Sequence, residues 1–315
     1  MRGKIYIILL ATVLMVGIIN SPAVAGPGIN LCRQTSQDVL KACKSGARNN
    51  YWLTIGKCRN LPTRSERKAC GVQAQQDRIS GFEDCRAQFA ARQEICKTLG
   101  RDPYNPIINP ADFVTVIDNP YFPLTPGSIY VYDGITEKGN EHVEVTVTDE
   151  TKVILGVACV AVRDTVTVDG LLEEDTIDWY AQDVSGNVWY FGENSLSYEG
   201  GLIVSLEGSW TAGVDGAKPG IIMKANPQVG NLYRQEFALG TAEDMAQVIG
   251  LNQPTTTPIP NPPGPFNDCL ETKEFSPLEP DVNEHKFYAS GIGNVQTVDV
   301  TTGNHLDLTS FTPGP

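Results

Sequence analysis

Several things are missing from this chain, and each absence removes a class of function. Its 8 cysteines include no CxxC pair and no CxxCH. That rules out c-type haem attachment and the ligand spacing that zinc sites use. No Ser sits in a Gly-x-Ser-x-Gly setting, and no Gly-rich loop precedes a helix, so neither a nucleophile elbow nor a phosphate cradle is indicated. There are 3 histidines, and no apolar run after the first twenty residues approaches the ~18–20 residues of a bilayer-spanning helix. Positive charge is scarce after residue 110: residues 111–315 carry 8 Lys and Arg against 30 Asp and Glu, whereas residues 26–110 carry 14 against 7. Few aromatics stand among those basic residues (Tyr51, Trp52, Phe82, Phe89), and the whole chain has a net charge of −13, so a nucleic-acid partner is not expected. The acidic excess admits weak divalent-cation binding without defining a site, and no cofactor is expected.

What is present begins with a leader. Arg2 and Lys4 precede the apolar stretch Ile5 to Ile19, and Ala23-Val24-Ala25 supplies small residues for cleavage. This pattern predicts a signal peptide over residues 1–25 and a periplasmic or secreted mature chain with no transmembrane segment. No cysteine follows the cleavage site, so no lipid anchor is expected there. An even cysteine count in an oxidising compartment fits four disulfides.

The change in charge falls at the Pro-rich connector Asp102 to Ala111-Asp112, which can continue neither helix nor sheet, and it divides the chain. Residues 26–101 are rich in Ala, Gln, Arg, Lys and Glu, a helix composition. Cys32, Cys43, Cys58, Cys70, Cys85 and Cys96 are spaced as a palindrome about Asn60-Leu61-Pro62-Thr63. Two antiparallel helices facing each other across that turn would pair Cys32 with Cys96, Cys43 with Cys85 and Cys58 with Cys70. Two cysteines 11 residues apart on one helix stand about 16 Å from each other, beyond the reach of a disulfide, so bonds within an arm are excluded. Ser65 is expected as the N-cap of the arm after the turn. Three short helices of period 26 or 27 compete with this reading; Pro62 inside the second repeat favours the hairpin, while Gly46, Gly56, Gly71 and Gly81 leave the continuity of the arms open. The basic hairpin is expected to dock on the acidic half of the chain or on an anionic partner.

From residue 113 the periodicity becomes two. Strands are expected at 129–132, 143–148, 159–166, 176–181, 187–192, 202–209, 231–238, 245–251, 268–275, 284–289, 294–300 and 304–309, separated by Gly-, Asn- and Asp-containing turns. Short loops without intervening helices give an antiparallel meander closed or half-closed into a barrel, so the fold class is α+β: a disulfide-linked α-hairpin followed by a mainly antiparallel β meander or half-barrel over 113–315. Thr255 to Pro265 is read as a loop between strands, in a position where it could cover one mouth. Cys159 and Cys269, the leftover pair in strand-like runs, are expected to form a cross-sheet disulfide.

One stretch carries a resemblance. Asp178-Trp179-Tyr180-Ala181-Gln182-Asp183 with Gly186-Asn187-Val188-Trp189-Tyr190-Phe191-Gly192-Glu193 resembles a signature of uncharacterised bacterial exported proteins. So do Gly208-Ser209-Trp210-Thr211-Ala212-Gly213 and Thr272-Lys273-Glu274-Phe275-Ser276-Pro277-Leu278. The resemblance covers about 113–310, implies a sheet-rich exported module, and brings no catalytic residues with it.

The residues themselves suggest a ligand site. The leading expectation is an exported binding or structural protein whose β domain holds a small apolar ligand or an envelope polymer in an aromatic-lined concavity formed by Trp179, Tyr180, Trp189 and Trp210. The alternative is a carboxylate- or metal-dependent hydrolase of extracellular polymer. Asp178 and Glu193 are the carboxylates to watch, and alternation puts Asp178 and Tyr180 on one face and Trp179 on the other. Asp183-Val184-Ser185-Gly186-Asn187 has the oxygens of a calcium loop but not its Gly and Glu positions, and reads as a hairpin turn. His142, His285 and His305 would form a metal site only if the sheet gathered them.

Overall fold

A computed structural model describes residues 30–136 and 138–315; the expected leader lies outside them. Helices α1 (Leu31–Arg59) and α2 (Arg64–Leu99) form one continuous antiparallel hairpin. Its three rungs are Cys32–Cys96, Cys43–Cys85 and Cys58–Cys70, with Cα separations of 5.8, 5.8 and 5.5 Å. The bonds fit an oxidising compartment. Among the described residues no helix is long and apolar enough to cross a membrane. The helical glycines do not break the arms. At Gly81 a Cβ would meet the Ala47 Cβ at 3.4 Å, the near limit of ordinary contact, so the arms pack closely there.

The second arm starts two residues earlier than Ser65 suggests. Thr63 is the N-cap, held extended after Pro62. Its hydroxyl accepts from the Glu66 amide at 3.2 Å, and the Glu66 carboxylate accepts from the Thr63 amide at 3.0 Å. This reciprocal box satisfies two amide donors that the first turn leaves open.

The connector after Leu99 is not a free spacer. The Tyr104 hydroxyl donates to the Pro219 carbonyl at 2.9 Å, and the Lys218 ammonium donates to the Tyr104 carbonyl at 2.6 Å. Arg234 lies over both the Tyr104 and Phe237 rings. A single 3-10 turn, Pro110–Asp112, leads into the β domain.

Among the described residues sixteen strands follow. They are β1 (Phe113–Val114), β2 (Ile129–Thr136), β3 (Gly139–Ile154), β4 (Val157–Val168), β5 (Leu171–Asp183), β6 (Val188–Glu199), β7 (Leu202–Ser205) and β8 (Trp210–Thr211). Then come β9 (Lys218–Met223), β10 (Leu232–Arg234), β11 (Glu236–Phe237), β12 (Met245–Thr255), β13 (Phe266–Phe275), β14 (Glu284–Ala289), β15 (Gly293–Asp299) and β16 (His305–Thr312). All pairings are antiparallel. The strand order is β10-β12-β13-β14-β15-β16-β2-β3-β4-β5-β6-β9-β11. Since β10 runs into β11 across Gln235, the segment Leu232–Phe237 ties the two ends of the sheet together, making a nearly closed barrel. Closure removes most of the open edge that a meander would expose. The strand β9 was not legible in the periodicity, and the expected 231–238 strand is interrupted at Gln235. The Pro-rich segment after β12 turns Ile259 into the core, where it is buried.

Cys159 and Cys269 are not bonded: both are free, buried thiols. The order of strands explains it. β4 and β13 have five strands between them along the sheet, placing the two cysteines across the barrel from each other. Burial pushes the Cys159 thiol up to about 12 and the Cys269 thiol up to about 11, so neither ionises readily.

Candidate functional site

The inward face of the barrel follows from the period-two alternation of its strands. On β4, Val162, Asp164 and Val166 point inward; on β5, Asp178 and Tyr180 do; on β14, Glu284, Lys286 and Tyr288. Together with Phe122, Leu124, Val143 and Ile292 they line a half-open cavity of about 350 Å³. One part of its wall is aliphatic and aromatic; the other is carboxyl, phenol and a single ammonium. A wider opening of about 860 Å³ lies between the barrel and the hairpin and shares Glu274, Glu284 and Lys286 with the inner cavity, so the two spaces meet at those side chains.

The hairpin is fixed over that opening by a buried ion pair. Arg92 donates through Nε to Glu243 Oε2 at 2.8 Å and through a terminal nitrogen to Oε1 at 2.7 Å, with Glu243 1% exposed. Oε1 also accepts from the Gly240 amide at 2.8 Å. Gln88 donates to the Leu278 carbonyl at 2.9 Å. The basic hairpin thus docks on its own acidic barrel, through one bidentate ion pair and the Gln88 hydrogen bond.

Inside, the polar groups are unequally neutralised. The Lys286 ammonium lies 2.9 Å from Glu274 and 3.9 Å from Glu284. Burial pushes the Glu274 carboxyl up, but the Lys286 charge and hydrogen bonds from Lys286, Tyr288 and Thr272 outweigh it and hold Glu274 below its ordinary value. Asp178 has no such cation. Burial raises it to about 8; the Tyr190 hydroxyl, donating to Oδ1 at 2.5 Å, pulls it down, while Glu193 and Glu174 push it up. Asp164 is also raised to about 8, by burial and then by Asp178 and Glu174. Glu193, beside the same Tyr190 phenol, is raised to about 7, chiefly by burial, but it lines the opening under the hairpin and the Trp210 groove, not the inner cavity. Carboxyls that keep their protons near neutrality can donate hydrogen bonds or act as general acids, and such groups in a cavity mark a candidate site.

The four aromatics singled out from the sequence do not share one surface. Tyr180 lies in the cavity wall, stacked on Tyr190 at 4.7 Å between centroids. Trp179 and Trp210 line a different groove of about 710 Å³, with both rings buried and the Lys152 ammonium 3.2 Å above the Trp179 ring. Gly192 makes room for the Trp210 strand: its φ is +138°, and a Cβ would come within 2.4 Å of the Trp210 carbonyl oxygen. Trp189 serves a turn, its indole donating to Asp183 Oδ2 at 2.8 Å. Asp183 Oδ1 accepts from the Ser185 and Asn187 amides at 2.9 and 3.0 Å, which makes this stretch the hairpin turn between β5 and β6.

The histidines are each paired separately: His142 with Asp133, His285 with Glu271, His305 with Asp307. Among the described residues no three His, Cys, Asp or Glu side chains are gathered to hold a metal ion. The groups that sequence reasoning missed are Asp164, Glu274 and Lys286. The signal for Asp164 was present, a lone carboxylate in the alternating stripe Val160, Val162, Asp164, Val166. Comparison of the chain with family models, curated proteins and solved structures finds no match.

Proposed function

We propose that this is an exported binding protein, periplasmic or secreted, whose barrel holds a small, partly apolar molecule in its lumen. The observation that carries the reading is the half-open cavity of about 350 Å³ with a mixed wall and a wider opening beneath the hairpin. At about 30 Å³ per non-hydrogen atom, such a space takes roughly a dozen of them. That favours a small ligand over a threaded polymer. The leader pattern and the three disulfides support export. The experiment is native mass spectrometry of the protein purified from its own host. Co-purification of a non-covalent molecule of that size supports the reading; a bare chain that still shows no adduct after incubation with host extract counts against it.

A second reading has its own observation. Asp178 and Glu193 both hydrogen-bond the Tyr190 phenol; Glu193, raised only to about 7, is the one that ionises first and would act as base, while Asp178, raised to about 8, keeps the proton of the acid. A hydrolase of that kind would turn over a glycoside or ester and lose activity in Asp178→Asn. Turnover of the co-purified molecule would replace the binding reading with this one.

A further inference from the structure

The charge balance of the lumen narrows the ligand, given the binding reading above. Among the described residues lining the inner cavity, Lys286 is the one cation, and Glu274 and Glu284 already engage it. Asp164 and Asp178 are left without a positive partner. Asp178 uses one oxygen to accept from Tyr190. Asp164 has one carboxyl oxygen that is shut off from solvent with no hydrogen-bond partner at all. A buried acceptor in that state costs free energy until something donates to it.

The sheet register brings these two carboxylates together. Asp164 on β4 faces Thr176 on β5, and Val162 faces Asp178. Asp164 and Asp178 are therefore diagonal neighbours on one face, roughly 7 Å apart at their Cβ atoms. A group with several N–H donors fits between them, and a bare metal ion is poorly served because the donors are not gathered. Around the pair lie Val162, Val166 and the ring of Tyr180. Aliphatic wall suits a hydrocarbon tail, and a tyrosine face attracts a cation.

We infer that the lumen binds a small organic amine, its ammonium seated between Asp164 and Asp178 and its apolar part against the valine wall. The ammonium supplies the donor that the orphaned Asp164 oxygen lacks, and as it enters, one of the two buried carboxyls releases its proton to solvent and becomes the carboxylate of the new ion pair.

The test is calorimetric titration of the oxidised full-length protein with three probes of one chain length: n-octylamine, n-octanol and octanoate. The expected result is that the amine binds at least about tenfold tighter than the alcohol, and that octanoate binds more weakly than either. Asp164→Asn and Asp178→Asn should each weaken the amine about tenfold while leaving the alcohol within about twofold, which also shows that the cavity survives the change. Equal affinity for amine and alcohol in the unaltered protein overturns the amine inference and leaves the lumen as an apolar compartment. So does undiminished amine binding in both variants. Failure of all three probes to bind a protein whose circular dichroism is native overturns the compartment reading, and the amine inference with it.

Discussion

Replacing Asp178 with Asn isolates one proton inside the barrel and predicts an unusual pH dependence. In the folded chain this carboxyl titrates near 8 rather than at its ordinary 3.8, mainly because it is buried. Between those two values the folded state keeps the proton and the unfolded state has lost it. Raising pH through that window therefore favours unfolding: the contribution is fully present below 3.8 and is gone above the folded value. Each pH unit is worth about 1.4 kcal/mol for one group, so an isolated Asp178 would cost about 4 kcal/mol of stability between pH 5 and 8. Asp164 acts with the same sign, Glu193 over a narrower window, and Glu274 with the opposite sign because its pKa is lowered. Asn carries no titrating proton but still accepts from Tyr190. Urea unfolding followed by far-ultraviolet circular dichroism at pH 5, 6, 7 and 8 should show stability falling with pH in the unaltered protein. In Asp178→Asn the slope should be shallower by up to about 1.4 kcal/mol per pH unit. Parallel slopes, or stability that rises from pH 5 to 8, would refute the assignment of a protonated, buried Asp178.

Three further outcomes are expected. Arg92→Ala strands the buried Glu243 carboxylate, and unfolding should become easier by about 3–5 kcal/mol, whereas Arg92→Ala combined with Glu243→Gln should recover part of that loss. Thiol titration of the non-reduced protein should count no reactive cysteine in buffer and two in denaturant, belonging to Cys159 and Cys269; zero in denaturant would mean that they are bonded after all. Thr63→Ala removes the acceptor for the Glu66 amide and should lower stability by about 1 kcal/mol, seen as a reduced thermal midpoint of the helical signal.

The hairpin was readable from cysteine spacing because a helix converts sequence separation into height and angle with no help from the rest of the chain. Most strands were readable for a similar reason: alternation is local, and turns such as Asp169-Gly170 punctuate it. What alternation does not report is which strands end up face to face. It placed Asp178 and Tyr180 on one side and Trp179 on the other, as the cavity and the outer groove have them. It did not reveal that β14 would bring Lys286 into the same lumen as Asp164, because that depends on the barrel closing through β16 and β2. The expected Cys159–Cys269 bond failed on the same ground, since two strand-borne cysteines give no hint that they lie across a lumen. The aromatic set dispersed because Trp189 and Trp210 answer to local demands, a turn and a short added strand, that burial propensity alone does not distinguish from a ligand wall.

The nested rungs also dictate an order of oxidation. In chain order Cys32 and Cys43 come first, and a bond between these two would be the wrong one. Once α1 coils it holds them too far apart to react, so early helix formation guards against the mispairing. Cys58 and Cys70 are 12 residues apart, the shortest loop to close, and with them joined the remaining partners come into line one after another. By loop length alone, closure is favoured from the tip outward, with Cys32–Cys96 the last to close.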